Sequence, residues 1–273
     1  MTALALSRPA RLPLLSELLQ RQRTLAFYGL ALLPLALIAL AAQGLDPRTL
    51  DGVNVWVKPA KFLFSVAVFA LTAAWFFGYV RPERRASPLM RGTVAMLVFS
   101  GTFELVWISW QASQGLHSHW NFDTTFHAIM YGLMGLFATL LTATTLPLAW
   151  EIGRRPAAGL RSDFVAAVVI GLVLTFLLGA GFGGYMSSQA SHSVGAEGGR
   201  LALFGWNRSG GDLRIAHFMG IHAQQAIPLL AAATAAFDAR TRWRLLLGGT
   251  TLFVLATVGL FAQAVVGRPL LPL

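Results

Sequence analysis

Six histidines, two lysines and one glutamate are the side chains of this sequence best suited to proton transfer or metal binding. The histidines are His117, His119, His127, His192, His217 and His222. Histidine is the commonest metal ligand in proteins and the side chain that titrates closest to neutral pH. Because the chain has no cysteine, thiolate ligands, iron–sulfur clusters and cysteine nucleophiles are excluded. A metal site in this protein would therefore depend on histidine.

Glu104 lies near the middle of an apolar stretch, where a carboxyl group is costly to bury and is a functional candidate by default. Thr93, Ser100 and Gln111 are offset from it by eleven, four and seven residues, which places all four on one side of a helix. This pattern predicts a polar stripe that faces the interior of a bundle. Glu104 would either carry protons as a general acid or base, or bond to a neighbouring helix as a structural contact.

The segment 212–225 concentrates further polar residues. On a straight helix, His217 and Gln224 lie on one side with Arg214 and Gln225 beside them, and His222 points about 140° away from His217. A five-residue spacing is unfavourable for two ligands of one metal on one helix. The two histidines are therefore expected to face different neighbours.

Three residues near apolar stretches have two interpretations each. In an extended segment His117 and His119 point the same way and can chelate one ion, or they are exposed loop residues. Lys58 begins an apolar stretch, where it either extends its amine towards the membrane surface or joins the same polar site.

Membrane-spanning helices must position these side chains. The sequence is 56% hydrophobic and 12% charged, with too little charge to cover a soluble protein of this length. Seven stretches approach the roughly 20 apolar residues that cross a hydrocarbon core. They are residues 25–42, 62–80, 92–111, 128–150, 164–186, 215–237 and 245–266. We predict an all-α integral membrane bundle of seven transmembrane helices.

Lysine and arginine are distributed unequally between the predicted loops. Of the 21 in the chain, fourteen lie in the N-terminus and in the loops around Arg84, Arg154 and Arg242. Under the positive-inside rule the N-terminus is therefore cytoplasmic and the C-terminus external, and all six histidines belong to the external side. Since orientation accounts for the basic residues, nucleic acid is not an expected partner.

The chain is expected to form a single transmembrane domain over residues 1–273. Residues 1–23 would be a basic cytoplasmic segment, and residues 187–214 a long external loop of the kind that often builds or covers a site. The first stretch could instead be a secretory signal ending near residue 42, although its apolar region is long for a signal.

Four segments of the chain have distinctive sequences. They are Val57-Lys58-Pro59-Ala60-Lys61-Phe62, Ser118-His119-Trp120-Asn121, Ser191-His192-Ser193-Val194-Gly195 and Gly211-Asp212-Leu213-Arg214-Ile215-Ala216-His217-Phe218. In these segments the chain resembles an uncharacterised family of bacterial multi-pass integral membrane proteins of about seven spans. The resemblance covers most of the chain from Val57 onward and implies a bacterial inner membrane, but no mechanism.

These residues predict a polar site in the outer half of the bundle, centred on a transition metal or haem and used for membrane redox or hydrolytic chemistry. Two or three of four histidines would ligate the centre: His119, His192, His217 and His222. Glu104 and Lys58 would take part in catalysis. The cofactor would also be bound by Arg214, Gln224 and Gln225.

The alternative is a proton-coupled transporter of a small solute, including an anionic one. The histidines and Glu104 would then relay protons, and Arg214 would bind the solute. In either case the expected partners are the lipid bilayer and a small-molecule substrate whose identity the sequence does not reveal.

Overall fold

The fold is that of a computed structural model describing residues 13–189, 191–201 and 205–271. Residues 1–12 of the predicted cytoplasmic segment, and residues 190 and 202–204 of the predicted external loop, lie outside the described residues. The helices are α1 (Leu14–Arg21), α2 (Arg23–Ala42), α3 (Val57–Phe77), α4 (Pro82–Arg85), α5 (Pro88–Gln114), α6 (Thr125–Ala143), α7 (Thr145–Arg154), α8 (Ser162–Ser187), α9 (Leu213–Ile221), α10 (Ala223–Ala233) and α11 (Ala239–Val265). Two antiparallel hairpins pair β1 (Thr49–Leu50) with β2 (Val53–Asn54), and β3 (Ser193–Val194) with β4 (Gly211–Asp212).

Within the described residues, six segments are long and apolar enough to cross a membrane, namely α2, α3, α5, α6 with α7, α8 and α11. Helices suit a bilayer because each one satisfies its own backbone hydrogen bonds. In α11 only 11% of the most apolar window is buried, although the mean hydropathy of that window is 2.1. An apolar helix with so little buried surface is arranged to contact lipid. The fold is thus the all-α bundle of a multi-pass membrane protein.

Helix α3 packs in the N-terminal half of the bundle against α2 and α5. Its contact faces carry small residues, and Ala67, Ala70 and Ala74 are completely buried. Small side chains allow helices to approach closely where lipid supplies no hydrophobic drive for association. This packing fixes the height of α3 relative to α5, and with it the positions of Lys58 and Glu104.

The loops predicted to be cytoplasmic contact one another at one end of the bundle, called here the arginine end. Arg84 forms an ion pair of 2.7 Å with Glu151, and Arg242 forms one of 3.2 Å with Asp163. The backbone of residue 157 also donates a 2.8 Å hydrogen bond to the carbonyl of Tyr79. The grouping of these loops on one side, predicted from the arginine count, is confirmed.

The loops predicted to be external contact one another at the opposite end, called here the histidine end. Arg48 donates a 3.1 Å hydrogen bond to the carbonyl of Ser113, and the Tyr131 hydroxyl donates one of 2.9 Å to the carbonyl of Ser187. The β3–β4 hairpin continues in a 2.9 Å backbone bond from Leu213 to the His192 carbonyl. This end brings together all four segments that carry the family resemblance.

The predicted span 215–237 is wrong as a single continuous helix, because α9 and α10 are separated at His222. Two residues account for the break. Pro228 lacks an N–H and its ring crowds the carbonyl four residues earlier, and the Thr175 hydroxyl of α8 accepts the Gln224 N–H at 2.9 Å. A side chain that enters the backbone ladder in this way bends a helix. The two parts are nine and eleven residues long.

Helices α8 and α9 meet along a seam of glycines. A Cβ on Gly220 would lie 2.8 Å from the backbone carbon of Leu178, and a Cβ on Gly179 would lie 2.9 Å from Ile221. A Cβ on Gly183 would lie 2.9 Å from the ring of His217. The two helices therefore pack closely at these glycines, where a larger side chain would not fit.

Candidate functional site

Lys58, His119 and Glu104 form a group of ionisable side chains within the bundle. Lys58 is the second residue of α3, and its Nζ lies 3.0 Å from Nδ1 of His119 in the loop after α5. Glu104, in the middle of α5, is 3% exposed. The charges of Lys58 and Glu104 interact. Three separate parts of the chain thus place an amine, an imidazole and a carboxyl group in one polar region.

The α5–α6 loop is folded back over α5, and this fold positions His119. Gly115 ends α5 with φ of 69°, a left-handed conformation suited to glycine. The Gln111 amide then donates to the His117 carbonyl at 3.1 Å, and the Trp107 indole donates to the Ser118 carbonyl at 3.2 Å. Since Gln111 and Trp107 belong to the last turns of α5, the helix itself holds the loop against its own end.

Aromatic side chains enclose His119. Phe62, Trp120 and Tyr131 have ring centroids 6.2, 6.1 and 6.0 Å from the imidazole. Burial, together with the positive charge of Lys58, lowers the pKa of His119 well below its usual value. His119 is therefore neutral at neutral pH. A neutral imidazole accepts at one nitrogen only, so an ammonium at Lys58 requires the tautomer with its proton on Nε2.

Glu104 belongs to a buried polar stripe, as the sequence predicted. Thr93, Ser100, Glu104 and Gln111 are all 6% exposed or less. Oε1 of Glu104 is buried and has no hydrogen-bond partner among the described residues. Leaving a buried acceptor unpaired costs about 1–3 kcal/mol. The described residues supply no hydrogen bond to this oxygen, and the role of Glu104 as a proton carrier or as a structural contact stays a prediction.

His192 and Arg214 form a second group, at the surface of the histidine end. Asp212 caps α9 and accepts both Nε and Nη2 of Arg214, at 2.9 and 2.6 Å. Burial alone raises the pKa of Asp212, but the hydrogen bonds and charge of Arg214 outweigh it, so the pKa lies below its usual value. Arg214 is therefore engaged by a carboxylate within its own segment.

The ring of His192 stacks at 6.1 Å, edge to face, on Trp120, the neighbour of His119. Burial, followed by the positive charge of Arg214, lowers the pKa of His192 to about 4. His192 is consequently neutral at neutral pH. Trp120, with φ of 52°, stands between the two histidines and connects this group to the first one.

The remaining predicted residues form a third group at the break between α9 and α10. His217 bonds through Nδ1 to the Gly179 carbonyl at 2.9 Å, and His222 bonds through Nδ1 to the Gln225 amide oxygen at 3.3 Å. Gln225 also donates to the Thr72 hydroxyl of α3 at 3.0 Å. Gln224 is completely buried, and neither of its side-chain polar atoms has a partner in the described part of the chain.

The structure thus divides the predicted site into three groups and does not assemble the histidines around one point. Residues 13–189, 191–201 and 205–271 contain no group of three or more His, Asp or Glu side chains that could hold a metal ion. The pair His117 and His119 does not converge either. The Nε2 atom of His117, a half-exposed residue, lies 3.8 Å from Asp51, whereas His119 contacts Lys58.

Several residues of the site were not predicted from the sequence. Trp107 and Tyr131 looked like ordinary apolar helix residues, and Thr72 and Thr175 carry no charge that would mark them inside an apolar stretch. Only Trp107 could have been found from the sequence. It lies three residues after Glu104 and therefore shares the same side of α5.

Fold and site define the class of this chain as a polytopic α-helical membrane protein whose predicted site residues lie in three separate polar groups. Comparison with protein-family models, with curated proteins and with solved structures gave no match. The resemblance to a bacterial multi-pass family stays a prediction.

Proposed function

We propose that this protein is a proton-coupled carrier of a small anionic solute, in which Lys58, His119 and Glu104 exchange the proton. The observation that supports it best is the 3.0 Å contact between Lys58 and His119, beside a buried carboxyl oxygen without a partner. An amine, an imidazole and a carboxyl group are the side chains used for proton relays in membranes. Here Lys58 and Glu104 lie in the membrane-crossing helices α3 and α5, and His119 lies in the loop after α5.

Charge balance explains why such a site would couple a proton to an anion. With Lys58 protonated, His119 neutral and Glu104 ionised, the three side chains carry no net charge. An added proton gives the group one positive charge, and an uncompensated buried charge costs several kcal/mol. A bound anion removes that cost. Each ligand therefore strengthens the binding of the other, as linkage requires.

The surroundings of the group favour an anion over a cation. Four basic and three acidic side chains interact at this end of the bundle: Lys58, Lys61, Arg200 and Arg214 with Glu104, Glu197 and Asp212. One negative charge would balance them. Arg214 would attract the anion through its long-range positive charge and not through a direct hydrogen bond, because its guanidinium group is already bound to Asp212.

The proposal includes seven crossings of a bacterial inner membrane, with the N-terminus in the cytoplasm and the C-terminus outside. The arginine end would be cytoplasmic under the positive-inside rule. The seventh crossing would be the broken pair α9–α10, with its orphaned Gln224 beside the break. Discontinuous helices with polar residues at the break are a recurrent feature of solute sites in secondary transporters.

A metal or haem centre, the leading interpretation from the sequence, has less support. Each predicted histidine ligand has a protein partner at Nδ1, which leaves Nε2 as the nitrogen that could bind a metal: Lys58 for His119, Ser193 for His192, Gly179 for His217 and Gln225 for His222. In the described residues these rings are distributed over three groups. The proton-coupled alternative requires no such convergence.

The proposal is tested in proteoliposomes that contain a pH-sensitive dye. Formate, acetate, lactate and phosphate are added outside as probe anions, and proton entry is recorded. At least one of them should drive proton entry with the wild-type protein. Glu104→Gln should reduce that flux about tenfold or more, which corresponds to about 1.4 kcal/mol of lost coupling. Glu83→Gln, an exposed carboxyl at the arginine end, is the matched control and should have no effect.

Elemental analysis and an absorption spectrum of the same preparation distinguish the two interpretations. A stoichiometric transition metal or a haem Soret band, combined with proton fluxes that Glu104→Gln does not change, would overturn the proposal and restore the metal-centred alternative.

A further inference from the structure

A groove at the arginine end lies between the start of α2 and one side of α5. Its volume is about 500 Å³, and it is lined by Gln22, Thr24, Arg85, Arg91, Val94, Ala95, Val98, Phe99 and Thr102. This is within the roughly 300–1,000 Å³ of ordinary ligand sites. It belongs to neither the Lys58–His119–Glu104 group nor the other two groups at the histidine end.

The groove is polar at its mouth and apolar along its length. Arg85 and Arg91 lie where α5 begins, and the lining then follows α5 through Val94, Val98 and Thr102. These positions recur every three or four residues, so they form one face of the helix. The eleven residue steps from Arg91 to Thr102 rise by about 16 Å. One leaflet of a bilayer core is about 15 Å deep, half of the roughly 30 Å core.

The charges at the mouth are available to an anion. Arg91 is exposed, and Arg85 uses Nε and Nη2 to bond the carbonyls of Val80 and Gly78, at 3.0 and 2.9 Å. These bonds orient the Arg85 guanidinium group but do not neutralise it. The charges of Arg21 and Glu83 also act on Arg85, and Arg21 is paired with Glu17 at 2.6 Å. The net charge of these side chains at the mouth of the groove is positive.

We infer that this groove is a binding site for one anionic phospholipid. The phosphate would lie between Arg85 and Arg91, and one acyl chain would follow α5 past Ala95 and Phe99. Both parts of the lipid are matched, because the lining along α5 rises by about 16 Å, close to one leaflet, and the two arginines lie at the end of the groove where α5 begins. A free phosphate would leave the apolar length unused, and a zwitterionic lipid would not compensate the two arginines.

The inference is tested by native mass spectrometry of the full-length protein in detergent. Palmitoyl-oleoyl phosphatidylglycerol and phosphatidylcholine are added in equal amounts. We expect one phosphatidylglycerol to be retained in preference to phosphatidylcholine. A basic residue near the membrane surface contributes about fivefold to the binding of an anionic lipid, so Arg91→Gln should reduce the preference about fivefold. Arg91→Lys should restore most of it.

Two further variants separate the lipid from other occupants. Ala95→Trp fills the groove without changing charge and should abolish retention. Arg244→Gln at the same end and Ala256→Trp on the exposed face of α11 are the matched controls and should retain the lipid. Equal retention of both lipids, or unchanged retention in Arg91→Gln and Ala95→Trp, would overturn the inference. So would full competition by glycerol 3-phosphate, because it would identify a free anion as the occupant.

Discussion

Replacing Lys58 by methionine should destabilise the protein by about 2 kcal/mol. Methionine keeps the length of the side chain but removes the amine, and with it the 3.0 Å contact to His119. A hydrogen bond to a charged group contributes about 1.5–3 kcal/mol. The Ser118 hydroxyl lies 3.2 Å from the same Nδ1 atom and remains available as a partner, so the loss should fall in the lower part of that range.

A double-mutant cycle with Glu104→Gln measures the coupling of the two charges. Lys58→Met alone leaves Glu104 without its opposite charge, whereas the double variant removes both charges. The two residues form no direct ion pair in the described part of the chain, so their coupling should be below the roughly 4 kcal/mol expected at 4 Å with an effective dielectric constant near 20. The double variant should therefore lose less free energy of unfolding than the sum of the single variants.

The assay is reversible unfolding in mixed detergent micelles, followed by tryptophan fluorescence. Glu83→Gln combined with Lys58→Met is the control pair, and it should be additive, because Glu83 is exposed at the other end of the bundle. Independent sites add within about 0.5 kcal/mol. If Lys58→Met and Glu104→Gln are also additive within that limit, the two charges are not coupled and the reasoning behind the proton-exchange group is refuted.

Three other predictions concern His192, the packing of α8 against α9, and the orientation of the bundle. Because the pKa of His192 is lowered to about 4 in the folded protein, the folded state excludes a proton that the unfolded chain binds below about 6.5. Protease resistance of the histidine end should therefore be full above pH 6.5 and fall towards pH 4, and His192→Gln should flatten this profile. Gly183→Ala should lower the free energy of unfolding by about 1–3 kcal/mol, because its Cβ would lie 2.9 Å from the His217 ring. Gly184→Ala should cost less, because a Cβ there meets open space. Equal losses in the two variants would contradict the close packing of α8 against α9. Reporter fusions near Arg154 should be cytoplasmic and those near His192 external, and a reversed result would overturn the orientation.

Features that depend on one helix at a time could be predicted from the sequence. The burial of Ser100, Glu104 and Gln111 follows from the helical repeat alone, because these positions share one side whatever the neighbouring helix is. The separation of Arg84 from His192 follows from alternation of the spans. Neither inference requires knowledge of how the helices are arranged around the bundle.

Features that depend on two helices could not be predicted. Lys58 and His119 are 61 residues apart, and their contact requires α3 and α5 to be neighbours at a particular height, which hydropathy does not specify. The break at His222 was missed for a similar reason. It depends on Thr175 of another helix, and a Pro at position 228 alone is tolerated in many membrane helices.

The glycine seam determines which movements are available to the broken helix. A larger residue at Gly179 or Gly220 would collide with Ile221 or with the backbone of Leu178, so α8 and α9 are held close together and shear of α9 along α8 is restricted. Beyond His222, α10 is a separate rigid segment whose far end is held by a 3.0 Å bond from Arg161 to the Ala231 carbonyl. Movement of α10 about His222 would have to break that bond together with the 2.9 Å bond from Gln224 to Thr175 and the 3.0 Å bond from Gln225 to Thr72. The glycine seam therefore confines movement within the broken pair to His222 and the residues after it.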